Sequence, residues 1–564
     1  AYRGKVDLSL MAELTDKTPQ AIVSELNEIE SPVIFNNPAT NEWETSDEYL
    51  SGNIREKIKE AEQRGLTKNL QALEAVLPAD VPVENIAMRL GMNWIPPEIY
   101  TDFAKHLLGS SSALIRYEPV TNTYSVTGSS TQARHDEFMG GGKSPEWLLE
   151  RILNNRKIEV KVTDYITKKT VLKVAETEEA NEKAQAIKAE FESWLYNNGD
   201  TVAKLAELFN KVHNAIVERK FDGSHLELSG KVPDDIIKLR THQNNAVWRG
   251  VTTNAVLYDH AVGSGKTFTG IARAMERKHL GLSKKPVLVV PNHMVNQFAQ
   301  DIYKLYPAAN ILTAGKKDFE KKNRKKLFGK IATNDYDIIV LPHSSFEFIK
   351  LSKETQKRYL EEEKARVESA IIMAKAESGS RDMTTKQLET LRANLETKLK
   401  RLTETKRNDD EISFEQMGID DITVDEAHEF KNLFFTTKMQ GVKGLGTPTG
   451  SNKAMDLWLK TKYIHETGGA LAFMTGTPIS NSAAEMHAMM RYLMPKILED
   501  NKVINFDAWA NTYAENKAKF EATESGRLKL TTRFAREWQN MGSLMAMWRT
   551  VTDSVTNDDI KATY

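Results

Sequence analysis

The stretch Ala255-Val-Leu-Tyr-Asp-His-Ala-Val-Gly-Ser-Gly-Lys-Thr267 decides the fold, because it joins a hydrophobic strand to the start of a helix through a glycine-rich turn. Glycines allow backbone N–H groups to turn towards a phosphate, and the positive end of the following helix adds to the attraction. The pattern therefore predicts a phosphate-binding loop between a strand at 255–258 and a helix.

Each polar residue of this loop has a predicted role. Lys266 can reach the β- and γ-phosphates of a nucleotide, and the hydroxyl of Thr267 can bind Mg²⁺. The general pattern has a glycine where this chain has His260, so the match is imperfect, and a chance sequence in a flexible loop is the alternative. The residues predicted to bind the nucleotide here are Gly263, Ser264, Gly265, Lys266 and Thr267.

A second motif, Asp425-Glu-Ala-His428, follows the apolar run 419–424. An acid at a strand end, beside a phosphate loop on a neighbouring strand, can hold Mg²⁺, and a second acid can polarise the attacking water. We assign Asp425 to the metal, Glu426 to the base role and His428 to a relay towards the next motif. Taken alone, the four residues could equally be an ordinary helix start.

The third motif is Met474-Thr-Gly-Thr-Pro-Ile-Ser-Asn481, which again closes an apolar strand. The hydroxyls of Thr475 and Thr477 could bond towards the second motif and so couple the nucleotide state to movement. A capped helix start, with Pro478 at its first position, would look the same locally.

Upstream of the phosphate loop, Gln243 follows Leu239-Arg240-Thr241-His242. A glutamine amide can pair with both the donor and the acceptor of an adenine edge, although a surface glutamine is the alternative. Gln243 and Arg240 are therefore candidate nucleotide ligands. Three motifs in this order, each at a strand end, predict a nucleotide-binding motor lobe over about 239–493.

The pattern around these motifs predicts an α/β domain. Apolar runs at 255–258, 287–290, 337–341, 419–424 and 470–474 alternate with helical segments, as in a parallel sheet with helices on both faces. The charged segment 351–410 interrupts this alternation with two helical halves that each carry an apolar seam. It is predicted to be an inserted antiparallel helical hairpin, with a functionless appendage as the alternative.

The flanking regions are predicted to be mainly helical, with small β-hairpins. The first fifty residues give two helices and then a β-hairpin, the order of a winged helix, but a small adaptor fold without a nucleic-acid role is equally open. The predicted units are a winged-helix-like unit at 1–60, a mixed α+β accessory domain at 61–175, a helical connector at 176–230, the motor lobe at 231–500 and a helical appendage at 501–564.

Composition limits the function further. The chain has 564 residues, with 77 basic and 78 acidic side chains, so any nucleic-acid contact must use a local basic surface. The absence of cysteine excludes disulfides, cysteine zinc sites and thiol catalysis, and it suits a cytoplasmic protein. No apolar run approaches the ~18 residues that span a bilayer. The chain begins Ala1-Tyr2-Arg3, so we expect it to be a piece of a longer protein.

The three motifs resemble motifs I, II and III of superfamily 2 helicases, and the Thr-Gly-Thr-Pro-Ile-x-Asn form is most similar to SNF2-like DNA translocases. The resemblance implies a RecA-like lobe, ATP and Mg²⁺ as ligands, and duplex DNA as partner. It also implies a second lobe with motifs IV to VI, which nothing after Leu493 supplies. By similarity to motifs Ia and Ib, the candidate nucleic-acid contacts are Pro291, Asn292, His293, Gln297, His343 and Ser344.

A closer resemblance comes from Phe221-Asp-Gly-Ser-His225, the stretch 431–439 and Phe506-Asp-Ala-Trp-Ala510. These look like segments of the helicase–methyltransferase fusion proteins of phages and conjugative elements, including the DarB-like antirestriction group. The resemblance implies a larger parent chain that acts in the host cytoplasm or travels in a phage particle. A methyltransferase could share that parent chain, but no Asn-Pro-Pro-Tyr-type motif occurs in this sequence. The alternative is a non-catalytic interaction module with an ATP-gated lobe.

Overall fold

The computed structural model describes residues 4–119, 122–163, 170–378, 383–404, 412–437, 439, 442–443, 448–479, 483–522 and 528–563. The region predicted to be a motor lobe is built around a seven-stranded sheet in which every pairing is parallel. Its strands are β1 (Ala255–His260), β2 (Pro286–Val290), β3 (Ile311–Thr313), β4 (Ile338–Pro342), β5 (Asp421–Asp425), β6 (Ala470–Thr475) and β7 (Thr552–Val555).

The strand order across the sheet is β3-β4-β2-β5-β6-β1-β7. Every residue of β2, β4, β5 and β6 is buried, as expected for strands covered by helices on both faces. All five apolar runs in the sequence are strands of this sheet, so the predicted RecA-like architecture is confirmed. Because all strands are parallel, the segments that follow them meet at one edge, the carboxyl edge.

Helices cover both faces of the sheet. The longer helices of this region are Thr241–Thr252, Lys266–His279, Val295–Leu305, Lys321–Thr333, Asn452–Glu466, Ala483–Leu493, Pro495–Asp500, Phe506–Tyr513, Met541–Val551 and Asn557–Thr563. Shorter helical turns are Asn292–Met294, Lys316–Phe319, His343–Phe346, Phe414–Met417 and Ala427–Phe430.

A buried ionic cluster fixes the helix Lys266–His279 to β5. The Asp421 carboxylate, which is fully buried, accepts hydrogen bonds from the guanidinium groups of Arg273 and, at 3.0 Å, Arg277. Arg277 also donates to the carbonyl oxygen of Val251 at 2.6 Å. One carboxylate therefore joins the helix after the phosphate loop to the strand that carries the second motif.

The predicted hairpin insertion is present. Helices Lys353–Ser378 and Met383–Glu404 pack along a shared apolar seam, and the connection at 379–382 lies outside the described residues. The buried side chains of this seam are Val367, Ile371, Leu388, Leu391 and Leu395. They belong to the apolar seams predicted for the two helical halves.

The C-terminal region differs from the prediction of a helical appendage at 501–564. Strands Ala514–Ala522 and Leu528–Trp538 form an antiparallel ribbon, to which Val442–Lys443 adds a third strand. Thr552–Val555 is β7, which pairs with β1. That part of the prediction was wrong because β7 is short, polar and only partly buried, so its sequence shows no hydrophobic pattern. Pairing with β1 stabilises it as a strand.

The N-terminal region begins with helices Leu8–Thr15 and Pro19–Asn27, followed by the antiparallel hairpin Ile34–Asn37 with Glu42–Thr45. This is the predicted winged-helix-like order. The remaining helices are Ser46–Tyr49, Ile54–Gln63, Thr67–Val76, Val83–Asn85, Pro97–Leu108, Gln132–Phe138, Pro145–Leu153, Val174–Tyr196 and Gly199–His213. The remaining strands are Gly52–Asn53, Leu114–Glu118, Thr123–Thr127, Lys161–Thr163, Thr170–Leu172 and Ile216–Val217. Among the described helices, none has the length and apolar character needed to cross a bilayer.

Candidate functional site

The phosphate loop connects the end of β1 to the helix that begins at Lys266. Gly263 and Gly265 have φ angles of 85° and 88°, in the left-handed region that side chains with a Cβ rarely adopt. A β-carbon on Gly265 would also lie 2.5 Å from the Nε2 atom of Gln243. The loop therefore needs glycine at 265 for its conformation, and a β-carbon there would also displace the Gln243 amide.

The Lys266 side chain folds over this loop. Its Nζ donates to the carbonyl oxygens of His260 at 2.6 Å and Ala261 at 3.2 Å. Burial lowers the pKa of Lys266, and the carboxylates of Glu426 and Asp425 act in the opposite direction. The ammonium group thus lies between the loop and the acids of the second motif, where a phosphate chain would bring opposite charge to it.

Asp425 ends β5 with only 6% of its surface exposed. Burial, together with the neighbouring Glu426, raises the pKa of Asp425 to about 7, although a hydrogen bond from the Glu426 backbone and the charge of Lys266 act in the opposite direction. Glu426 itself has a φ of 49°, an uncommon conformation for a residue other than glycine. The sharp turn leaves one carboxyl buried at the strand end and places the other, 40% exposed, towards the surface.

His428 links the second and third motifs. Its Nδ1 lies 3.1 Å from the Glu426 Oε2 atom and 3.1 Å from the Thr475 Oγ1 atom. The same Thr475 oxygen accepts a hydrogen bond from the Thr477 backbone at 3.1 Å. Four of the predicted residues therefore form one connected set at the carboxyl edge. Ser480 and Asn481 of the third motif lie outside the described residues.

The helix Thr241–Thr252, which precedes β1, contacts the phosphate loop. Gln243 is 5% exposed, donates to the Gly265 carbonyl at 3.1 Å and accepts from the Arg240 backbone at 2.9 Å. His242, which the sequence did not single out, bonds to the Ser264 carbonyl through Nε2 at 2.9 Å. Arg240 is exposed beside them. In this arrangement Gln243 positions the loop through its amide.

The C-terminal strand β7 contributes a contact that sequence reasoning missed. The Asp553 carboxylate lies 2.7 Å from His260 Nε2 and 3.7 Å from Arg249. His260 is fully buried, and the residue after it donates its backbone N–H to Val555 at 2.8 Å. The histidine at position 260, where the general pattern has a glycine, was a signal in the sequence for this contact. Its partner Asp553 is 293 residues away, so the sequence did not identify it.

The predicted nucleic-acid contacts divide into two groups. Asn292, His293, Gln297 and Ser344 are exposed, Pro291 is half-buried, and the Asn292 side-chain oxygen accepts from the Ser344 backbone at 3.2 Å. This hydrogen bond joins the segments that follow β2 and β4.

His343 does not fit the prediction of a surface contact. It is 7% exposed and its Nε2 lies 2.8 Å from the Asp425 carbonyl oxygen. Burial lowers its pKa to about 4. A neutral, buried imidazole fixed to the backbone of Asp425 can position the second motif, whereas a phosphate contact would need an accessible ring.

The donor set at this edge suits Mg²⁺ bound together with a nucleotide. Mg²⁺ prefers hard oxygen ligands and is commonly held by one or two carboxylates plus substrate phosphates. Asp425 offers a carboxylate beside the loop, and Thr267 offers a hydroxyl at the positive end of the helix that begins at Lys266.

Known families match most of this architecture. Residues 248–556, more than half of the chain, match the family described as Probable helicase domain. The chain belongs to this helicase-domain family. Residues 1–44 match the winged helix domain of probable helicases, and residues 89–215 match a domain of unknown function, DUF8437. The chain thus contains a helicase-like motor lobe whose family region extends through β7.

One curated relative is the Defense against restriction protein B of Escherichia phage P1. The two are 20% identical over 424 residues, which cover 68% of this chain and 18% of that protein. The predicted similarity to helicases and to the antirestriction group is therefore confirmed. The chain spans about a fifth of the length of that relative.

Among solved structures, the Sulfolobus solfataricus SWI2/SNF2 ATPase core in complex with dsDNA shares 16% sequence identity. The match covers 50% of this chain and 40% of that one, with a TM-score of 0.27.

Proposed function

We propose that this chain is the Mg·ATP-binding first motor lobe of an SNF2-like DNA helicase or translocase. The observation that carries the proposal is the convergence of Lys266, Asp425, Glu426, His428 and Thr475 at the carboxyl edge beside a glycine-dependent loop. Chance matches to three short motifs would not be expected to form one connected site.

In this proposal each side chain has a defined task. Lys266 binds the β- and γ-phosphates, while Thr267 and Asp425 hold the metal, which would neutralise charge on the phosphate oxygens when bound. Glu426 orients the attacking water and accepts its proton. His428 contacts both Glu426 and Thr475 through its Nδ1 atom, so a change at the acid can move the third motif.

The same edge of the sheet supports a DNA track. The exposed residues Asn292, His293, Gln297 and Ser344 follow β2 and β4, which are neighbours in the sheet. Polar side chains of this kind bond to phosphates and fix the register of a duplex without reading its sequence. We propose duplex DNA as the polymer along which the lobe moves.

We further propose that a second motor lobe completes the site. The described residues contain one large parallel sheet, and the transition-state charge of phosphoryl transfer is commonly stabilised by an arginine supplied from another element. The similarity to the phage P1 protein suggests a larger phage or mobile-element protein linked to antirestriction or DNA modification, acting in the host cytoplasm.

ATP hydrolysis with and without duplex DNA tests the proposal, with wild type, Lys266→Ala and Lys496→Ala compared. Lys496 is an exposed lysine outside the site, so its replacement is a matched control. We expect turnover well below typical enzyme rates of ~1–10³ s⁻¹, lost only in Lys266→Ala. Turnover that survives Lys266→Ala would overturn the proposed role of the loop.

A further inference from the structure

The segment 316–330 concentrates positive charge on a chain whose total charge is nearly balanced. It comprises the short turn Lys316–Phe319 and most of the helix Lys321–Thr333. Its acidic residues are Asp318 and Glu320. Its basic residues are Lys316, Lys317, Lys321, Lys322, Arg324, Lys325, Lys326 and Lys330.

This arrangement opposes helix stability. The first turn of the helix contains no acidic residue, and its lysines lie at the positive end of the helix dipole. Lysines four residues apart, such as Lys322 and Lys326, also repel one another. Cations held in this pattern are expected to favour a polyanion that neutralises them.

Few carboxylates of the protein itself neutralise these lysines. Within the described residues, no carboxylate lies close enough to pair with Lys316, Lys317, Lys321 or Lys326, and all four are exposed. Lys322 pairs with Glu320 at 3.5 Å, but both of these side chains are largely exposed. The lysine surface formed by these four unpaired residues therefore remains available to an external anion.

The lysine surface continues the proposed DNA track. The segment follows β3, which neighbours β4, whose carboxyl end leads to Ser344; β4 in turn neighbours β2, whose end leads to Asn292. Adjacent strands lie about 4.8 Å apart, so the starts of the three segments lie side by side at the carboxyl edge.

Aromatic contacts hold the helix Lys321–Thr333 against the segment that follows β4. The Arg324 guanidinium lies 4.5 Å from the ring of Phe348, and its Nε donates to the Phe319 carbonyl at 3.1 Å. The rings of Phe319 and Phe348 lie 6.2 Å apart. The helix is thereby held against the segment that carries Ser344.

The aromatic and apolar side chains of this region indicate which class of anionic partner the lysines would bind. Phe319 and Phe328 are each 2% exposed, so residues 316–330 present no aromatic platform on which single-stranded bases could stack. Leu327 and Ile331 are also buried in the core, so the helix lacks the free apolar face of a membrane-surface helix. Lysines alone, as hydrated point charges on flexible stems, suit the phosphates of a duplex.

We propose that the lysine surface binds the phosphate backbone of duplex DNA without sequence preference, and that it extends the track beyond the residues that follow β2 and β4. This inference rests on the proposed function, because it assumes that the same lobe binds DNA. Each lysine that contacts a phosphate should add to the salt dependence of binding, since binding releases condensed counterions.

The test measures the affinity of the full chain for a short fluorescein-labelled duplex by anisotropy over a series of KCl concentrations. The lysine-surface variant carries K316Q, K317Q, K321Q and K326Q. The matched control variant removes the same charge from exposed positions elsewhere, with K204Q, K211Q, K357Q and K496Q. Melting temperatures verify that both variants remain folded.

We expect the slope of log affinity against log salt to become shallower by about 3 to 4 in the lysine-surface variant, from about 0.9 per phosphate contact. The control variant should keep the wild-type slope. Equal slopes in the two variants would overturn the inference alone. A wild-type chain that binds a fluorescent ATP analogue but no duplex would overturn both the DNA track and this inference, while the nucleotide site would stand.

Discussion

Replacing Asp425 by asparagine is expected to stabilise the ligand-free chain, and to do so more strongly as the pH rises. Burial and the adjacent Glu426 raise the pKa of this carboxyl to about 7, whereas in the unfolded chain it is expected near 3.8. The folded state therefore binds a proton that the unfolded state releases between these values. The stability of the wild type should fall as the pH rises through this window and level off above about pH 7.

The size of this effect follows from the two pKa values. Their difference corresponds to about 4 kcal/mol at 1.36 kcal/mol for each factor of ten. About 2 kcal/mol of it falls between about pH 5.5 and about pH 8.5, where a chain of this type can be studied. For a lobe of this size, the melting temperature of Asp425→Asn minus that of the wild type should therefore increase by about 3 °C across this pH range.

Thermal melting without Mg²⁺ or nucleotide, repeated across this pH range, measures the effect. Asp335→Asn is the control, since Lys278 lowers the pKa of that exposed carboxyl and its removal should give no such gain. Added Mg·ATP should then stabilise the wild type and leave Asp425→Asn unchanged. A melting-temperature difference that does not change with pH would refute the reasoning that Asp425 is protonated near neutrality.

Three further substitutions have defined outcomes. Asp421→Ala leaves two buried arginines without their carboxylate and should lower stability by about 3–5 kcal/mol, measured by thermal melting; an unchanged melting temperature would contradict this. Asp553→Ala removes the partner of His260 and should weaken Mg·ATP binding about tenfold, the equivalent of one hydrogen bond, in a fluorescent-nucleotide titration; unchanged affinity would exclude this positioning role. Gly265→Ala should weaken nucleotide binding, because its β-carbon would displace the Gln243 amide that bonds to the loop, whereas Gly281→Ala has the same left-handed conformation with open space and should bind normally.

The parts of the molecule that the sequence predicts are those with local signals. The five apolar runs are strands because each is a continuous buried stretch bounded by turn residues. The positions of the phosphate loop and Asp425 could be predicted because each belongs to a short motif that directly follows an apolar run. The contact of His428 with Thr475 follows from two such ends on the neighbouring strands β5 and β6.

The parts that the sequence did not predict depend on distant partners. β7 is stabilised by pairing with β1, and the role of Asp553 exists only because that pairing brings it beside His260. His343 has the position of a surface contact in the motif, but its ring is buried and lies against the Asp425 carbonyl at the end of β5, two strands away from β4. Burial of this kind is set by packing between strands, which single-sequence patterns do not contain.

Isothermal titration of the chain with ATP in the presence of Mg²⁺ tests the nucleotide site most directly. We expect one binding site per chain, lost in Lys266→Ala and retained in Lys496→Ala, because Lys266 alone of the two lies over the phosphate loop. Binding that is equally strong in wild type and Lys266→Ala would contradict a nucleotide site at this loop, and with it the assignment of this chain as a motor lobe.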